Sequence, residues 1–163
     1  MKRKAPLIAA SAIAAFALSG GSASAAAGGQ DHVTGSAIIN AGIHFEISAH
    51  SGPLGEDPHG NGRTQVDLPE AQGDTQGRVT CLNVMGNQAV VELRIERSTQ
   101  NPAFVGQYSY LFFQDNGPPA GGQAVDLVGS TQPMPMPAPM SCHMPVGELF
   151  PFDKGNIVIK DAP

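Results

Sequence analysis

The sequence predicts an all-β domain, an antiparallel up-and-down barrel of eight strands, round or flattened, with a two-sheet β-sandwich as the alternative. No stretch of eleven or more residues repeats apolar residues at the helical period. Short runs with apolar residues at alternate positions recur instead, separated by glycine, proline, asparagine and aspartate. The last run ends three residues before the C-terminus, so we expect the first and last strands to pair and to close the sheet.

The predicted strands follow one another along the chain with short links. Gly86 and Asn87 form the centre of a two-residue hairpin turn, and residues 40–42 are another short link. The run 107–114 is apolar on both faces, which is typical of an interior strand. The eight predicted strands are residues 33–40, 43–50, 63–68, 78–85, 89–97, 107–114, 123–128 and 156–160.

Alternation assigns the two faces of the clearest strands. In the fifth strand the apolar residues from Ala89 to Ile95 face inward, while Glu92, Arg94 and Glu96 form a charged outer face. The interior of an eight-stranded barrel is either filled by side chains or holds one small ligand. The residues expected around such a cavity are Ile43, Phe45, Ile47, Leu93, Ile95 and Leu111.

The first 25 residues have the pattern of a cleaved secretory signal peptide. Three basic residues precede an apolar stretch, and small residues ending at Ala25 fit a signal peptidase. The apolar stretch 5–18 is shorter than the ~20 residues that span a bilayer, so we expect a secreted protein without a transmembrane segment. Residues 26–31 are predicted to be a short disordered lead-in and residues 32–163 a single domain.

Charge argues against two classes of partner. Removal of the signal peptide takes away three basic residues and no acidic one, so the net charge falls from −5 to −8. The remaining basic residues are scattered along the chain. Nucleic acid and anionic membrane surfaces are therefore excluded as expected partners.

Cys81 and Cys142 are the two cysteines of the chain. An exported protein meets an oxidising environment, which favours a disulfide between them over free thiols or a metal site. Closing a loop of that length stabilises a fold by roughly 4 kcal/mol in the chain-entropy description.

A run of methionines and prolines precedes the last strand and could bind copper. Thioether, thiol and imidazole groups are the soft ligands that Cu(I) prefers, although methionine also fills gaps in loops that pack on a sheet. A disulfide at Cys142 would remove the strongest ligand. The candidate ligands are Met134, Met136, Met140, His143 and Met144, with Cys142 if reduced.

Two further groups of polar residues are weaker candidates. His44, Glu46 and His50 share the polar face of the second strand and offer ligands for zinc, or are simply a solvated face. In the loop 52–62, Glu56 and Asp57, together with Asn61, offer oxygen ligands for calcium, but their spacing does not follow a calcium-binding loop. A polar turn accounts for the same residues.

Signatures of catalysis are missing from the sequence. It contains no nucleophile elbow, phosphate-binding glycine loop, zinc-protease motif or dinucleotide fingerprint. The carboxylate pair Glu92 and Glu96 flanks Arg94 on an outward face, which favours solvation over acid and base chemistry. We therefore expect the protein not to be an enzyme and to need no cofactor.

Four blocks of sequence carry a resemblance that covers residues 33–162. They are SAHSGPLGEDPHGNG, RVTCLNVMGNQAVV, FFQDNGPP, and a cysteine followed by PV and GNIVIKDA. Together they resemble a group of secreted actinobacterial proteins that are mostly described as hypothetical. The resemblance implies an exported β-domain with a cysteine pair corresponding to Cys81 and Cys142, and it implies no activity.

These observations lead to an expected function in the binding class. We expect a binding or envelope-associated interaction module, stabilised by its disulfide. The alternative is a carrier that handles copper through the methionine and proline run or holds a small ligand inside the barrel.

Overall fold

A computed structural model describes residues 29–117 and 125–163. The predicted signal peptide and residues 26–28 of the predicted lead-in lie outside the described residues. Gly29 and Gln30 have no regular structure, and the first strand begins at Asp31.

The described residues form one antiparallel sheet that is curled into a half-barrel. Strands follow chain order across the sheet from β7 to β1, with β8 beside β7 at one edge and β9 beside β1 at the other. Two 3-10 turns, Pro102–Phe104 and Ser141–His143, are its helical parts among the described residues. The strands are β1 (Asp31–Ile39), β2 (Ile43–Ser51), β3 (His59–Leu68), β4 (Ala71–Met85), β5 (Gln88–Ser98), β6 (Tyr108–Gln114), β7 (Leu127–Ser130), β8 (Phe150–Pro151) and β9 (Lys154–Lys160).

The structure confirms the predicted all-β class and the pairing of the first strand with the last. Residues 32–38 of β1 lie in antiparallel register with residues 154–160 of β9. The described residues contain nine strands rather than eight, because Phe150 and Pro151 form a short extra strand that pairs with β7. Of the strand predicted at 123–128, residues 123 and 124 lie outside the described residues, and the described strand β7 runs from Leu127 to Ser130.

Side-chain carboxylates connect the two edges of the curled sheet, β7–β8 and β9. β7 has four residues and β8 only two, so they present a short edge to β9. Asp126 Oδ2 accepts a hydrogen bond from the amide of Ile157 at 3.0 Å, and Asp115 Oδ2 accepts one from the amide of Ile159 at 3.1 Å. Among the described residues, the seam of the half-barrel is therefore bridged by these two aspartates.

The main core fills the concave face of the sheet. As the alternation predicted, Phe45, Ile47, Leu93 and Leu111 are all at most 5% exposed. Burial of this apolar surface is the chief stabilising contribution to a fold of this kind.

A second, smaller core lies on the convex face. Val90, Tyr110 and Phe112 point outward from β5 and β6 and are nonetheless buried. They are covered by residues 131–149, here named the Met/Pro segment, which pairs with the sheet only through a bridge between Met134 and Tyr108. The apolar character of β6 on both faces thus has a structural reason.

None of the helical turns among residues 29–117 and 125–163 has the length or the hydropathy that crossing a bilayer demands.

Candidate functional site

A cavity opens at the end of the half-barrel where β1 ends and β2 begins. Its volume is about 330 Å³, which is at the lower end of the ~300–1,000 Å³ typical of small-molecule sites. Phe45 forms part of its wall and is itself 2% exposed. We call this cavity the mouth.

The wall of the mouth combines apolar side chains with uncharged polar ones. Among the described residues that line it, none is acidic, basic or histidine. A charged ligand would lose its hydration in the mouth without gaining a charged partner, and this desolvation costs free energy. The lining residues are Ile39, Asn40, Ile43, Phe45, Thr64, Val66, Thr75, Gln100, Phe104, Ser109, Gly129, Ser130, Thr131, Gln132, Pro133 and Phe150.

A row of hydroxyl groups begins at the wall of the mouth and continues beyond it on the neighbouring strand. Thr64 on β3 lies opposite Thr75 on β4, which in turn lies opposite Ser98 on β5. The hydroxyl groups of Thr75 and Ser98 are 2.9 Å apart and share a hydrogen bond. Residues that alternation places inward are thus polar at this level, which leaves the barrel end unfilled and able to accept hydrogen-bonding groups.

The mouth includes two of the six residues predicted to surround a cavity. Ile43 and Phe45 line it. Ile47, Leu93 and Leu111 belong to the filled core, and Ile95 is also buried. The threonines and serines of the wall carry a signal that sequence analysis did not use, because polar residues at inward positions of a strand indicate an unfilled interior.

The structure confirms the disulfide between Cys81 and Cys142. It ties the Met/Pro segment to β4. A nitrogen of the exposed His143 lies within 4.8 Å of both sulfur atoms. Because the sulfurs are bonded to each other, neither is a thiolate ligand in this state.

The methionines of the Met/Pro segment divide into two groups. Met134 and Met144 pack against the second core, as gap-filling methionines do. Met136 and Met140 are 72% and 58% exposed, and His143 is exposed beside them in the chain. Copper binding by these five residues stays a prediction.

Glu92 corrects the prediction of a charged outer face on β5. Arg94 and Glu96 are exposed there, but Glu92 is only 4% exposed because the Met/Pro segment lies over it. Its carboxylate accepts hydrogen bonds from the hydroxyl groups of Thr80 and Ser141, both at 2.7 Å. The hydroxyl of Tyr110 is a third donor.

Tyr110 links the sheet, Glu92 and the Met/Pro segment. Its hydroxyl donates to Glu92 and accepts a hydrogen bond from the amide of Ala138 at 2.7 Å. Burial and the hydrogen bond to Glu92 raise the pKa of Tyr110 to about 12. These contacts hold the segment in place next to the disulfide.

The strand register places His50 beside histidines of the two neighbouring strands, and not beside the other members of the predicted group, His44 and Glu46. His44, Glu46 and His50 are all on β2, as predicted, but they follow one another along the strand. Glu46 forms an ion pair with Arg63 at 3.9 Å. His50 lies opposite His32 on β1 and opposite His59 on β3. The predicted set is therefore not the one that clusters.

The three clustered histidines form a row on the outer face of the sheet, at the end away from the mouth. The ring centroids of His32 and His50 are 5.9 Å apart, and those of His50 and His59 are 5.5 Å apart. Burial, and then the charges of His59 and His32, lower the pKa of His50. Sequence analysis missed this row because its members are far apart in the chain.

The loop 52–62 is built as a turn. The carboxylate of Glu56 accepts a hydrogen bond from the amide of Leu54 at 2.8 Å, and the carbonyl of Glu56 accepts one from the amide of Gly52. Asn61 belongs to β3 and not to the turn. These contacts within residues 52–56 are those of the polar turn that the sequence favours over a calcium site.

Comparison with known proteins adds no relative. No protein-family model matches the chain, and searches of curated proteins and of solved structures find no significant match.

Proposed function

We propose that this protein is an exported binding protein that holds one small, uncharged and largely apolar molecule in the mouth of the half-barrel. The observation that carries the proposal is the 330 Å³ cavity with a wall free of charged residues among those described. Small-molecule sites are concave and apolar with polar groups that orient the ligand. The mouth is concave and lined by apolar side chains together with uncharged polar ones.

The polar groups of the wall define the ligand further. The hydroxyl of Thr64 and the side-chain amides of Gln100 and Gln132 can donate or accept hydrogen bonds. Phe45 and Phe104 offer aromatic surface on the same wall. A ligand with an apolar body and one or two carbonyl, hydroxyl or amine groups would satisfy both kinds of surface.

A protein-interaction module is less well supported. It would present a contiguous apolar patch. The exposed large apolar residues include Met136 and Met140 on the Met/Pro segment and Phe150 at the mouth, and others are spread along the chain. Leu54 lies in a loop, Val105 follows a 3-10 turn, and Val158 lies on the edge strand β9.

Export is part of the proposal and is tested separately. Its supports are the leader read in residues 1–25 and the disulfide, which is typical of proteins outside the reducing cytoplasm. Intact mass spectrometry of protein recovered from culture medium should give a chain that begins at Ala26 and is two hydrogens lighter than the reduced chain. A chain retained in cells with residues 1–25 would contradict export.

Ligand binding at the mouth can be tested with N-phenyl-1-naphthylamine, an uncharged aromatic probe that fluoresces in apolar surroundings. We expect saturable binding to the wild-type protein. Val66→Trp places a large ring in the mouth and should lower the affinity at least tenfold. Val158→Trp, on the half-exposed outer side of β9, is the matched control and should bind as the wild type does.

Two outcomes would contradict the site. One is equal loss of probe binding in both tryptophan variants. The other is a screen of uncharged fragments, followed by amide chemical shifts, in which no fragment perturbs residues of the mouth. The chain contains no tryptophan, so each variant also carries a single fluorescent reporter of its own position.

A further inference from the structure

We propose that His32, His50 and His59 form a surface site for one divalent late transition-metal ion, such as Zn²⁺ or Cu²⁺, with His50 as the central ligand. The proposal is independent of the mouth, since the row lies at the other end of the strands.

The spacing of the rings fits shared coordination. A zinc–nitrogen bond is about 2.1 Å long, so two imidazoles on one ion have ring centroids roughly 5–6.5 Å apart. The measured centroid distances from His50 are 5.9 Å to His32 and 5.5 Å to His59. Each neighbour is therefore within range of an ion shared with His50. The rings of His50 and His59 are stacked at 22°, so their nitrogens must rotate toward a common point, and His32 and His59, on the two strands that flank β2, must both lean toward His50 to complete the site.

The backbone holds the three side chains side by side. His32, His50 and His59 are direct cross-strand partners on three adjacent strands, and such partners have Cβ atoms about 4.5–5.5 Å apart on the same face. The strands supply the alignment before any ion binds, which lowers the entropy cost of assembling the ligands.

The hydrogen bonding of His59 favours metal binding. Its Nδ1 lies 2.9 Å from the carbonyl oxygen of Asp57. A carbonyl accepts but does not donate, so this contact requires the proton on Nδ1 and leaves the lone pair of Nε2 for an ion. Metal-binding histidines are commonly oriented by such a second hydrogen bond.

The charges around the row place the ion toward β3. Lys160 on β9 lies opposite His32 at one end of the row and repels a cation there. At the other end, Glu56 and Asp57 line a shallow depression together with His59. The carboxylates favour a cation near the His50–His59 pair, with His32 as the third ligand.

The test is calorimetric titration of the untagged mature protein with Zn²⁺. We expect one ion per chain. His50→Gln should lower the affinity about 100-fold or more, and His32→Gln or His59→Gln about tenfold each, since even the loss of an outer-shell partner costs 10–100-fold. His44→Gln, on the same strand but outside the row, is the matched control and should leave the affinity unchanged.

Three results would overturn the site: no saturable one-to-one binding, unchanged affinity in His50→Gln, or an equal loss in His44→Gln. His143→Gln separates this site from the Met/Pro segment, and a loss of Zn²⁺ binding in that variant alone would also overturn it. As a second readout, the electron paramagnetic resonance spectrum of bound Cu²⁺ should show at least two nitrogen ligands in the wild type. It should lose this pattern in His50→Gln.

Discussion

At Glu92, a carboxylate that is 4% exposed is surrounded by three hydroxyl donors. The charge is solvated by protein groups rather than by water, and charge-assisted hydrogen bonds of this kind are stronger than neutral ones. The donors come from β4, β6 and the Met/Pro segment, so one side chain connects three parts of the chain.

The tyrosine in this network makes stability depend on alkaline pH. Tyr110 has a pKa of about 12 when folded, against 10.0 as the ordinary value. Between those values the unfolded chain has lost the proton and the folded chain keeps it, so stability falls as the pH rises. At 1.36 kcal/mol per pKa unit, the loss is about 1.4 kcal/mol by pH 11.

Urea unfolding at pH 9 and pH 11 measures this loss. Tyr110→Phe is the control, because it keeps the other alkaline titrations of the chain and removes the phenol. The wild type should lose about 1.4 kcal/mol more than the variant over this interval. Equal losses in the two proteins would mean that the Tyr110 hydroxyl ionises normally.

The sequence predicts which face of the sheet a side chain is on better than it predicts what lies next to that side chain. Alternation correctly places Glu92 on the outer face of β5, but outward means buried here because the Met/Pro segment, far along the chain, covers that position. The histidine row has the same origin. The alternation of β2 predicts where His50 points, but the register with β1 and β3 decides which side chains lie beside it.

Among the elements, the Met/Pro segment depends most on covalent and side-chain attachment. It makes a single β-bridge to the sheet, and its remaining anchors include the disulfide and the hydrogen bonds to Tyr110 and Glu92. Prolines at alternate positions remove the amide donors that a regular strand would need.

Replacing both cysteines by alanine tests the anchor. The disulfide joins residues 61 positions apart, so its removal should lower the free energy of unfolding by about 4 kcal/mol. Hydrogen exchange should also rise in residues 131–149 more than in β1 or β2. Uniform exchange across the protein would show that the segment does not loosen separately, which would contradict the anchoring role.

The shortest strands were the hardest to predict. β7 pairs with residues 111–114 of β6, and this pairing extends it to Ser130, two residues beyond the predicted end at 128. β8 consists of Phe150 and Pro151 and exists only through two partners on β7. Neither has enough alternating residues to define its bounds, so partner strands define them.

For the whole molecule, the aspartate seam decides how firmly the half-barrel is closed. Asp126 is 5% exposed and uses its two oxygens on different parts of the chain, one on the amide of Asn116 and one on the amide of Ile157. Asp115 does the same with Gly117 and Ile159. Each aspartate thus fastens β9 to the segment that follows β6.

Asp126→Ala should open this seam. Two amides would lose their acceptor, and that of Ile157 is buried. A buried donor left unsatisfied costs ~1–3 kcal/mol, so the free energy of unfolding should fall by about that amount. The free energy of opening that hydrogen exchange measures at the amide of Ile157 should fall by the same amount or more. Asp67→Asn, at an exposed position of β3, is the control and should change stability little.

Overall architecture was more predictable than this closure. Alternation and turn spacing predict the antiparallel order, and a last run close to the C-terminus predicts the β1–β9 pair, which the structure confirms. The seam depends on two aspartates reaching backbone amides 31 and 44 residues away. An aspartate after a strand is equally typical of an ordinary turn, so no local pattern predicts this role.

Both ends of the described chain lie at one pole of the half-barrel. His32 at the start of β1 pairs with Lys160 near the C-terminus, whereas the mouth begins at Ile39, about 23 Å farther along β1 at 3.3 Å per residue. A tether at either terminus therefore attaches at the end of the half-barrel opposite the mouth and leaves the mouth open to solvent. The tether can be a fusion partner or a link to a solid support. Immobilised protein should capture a dissolved small molecule as well as free protein does, whichever end is attached.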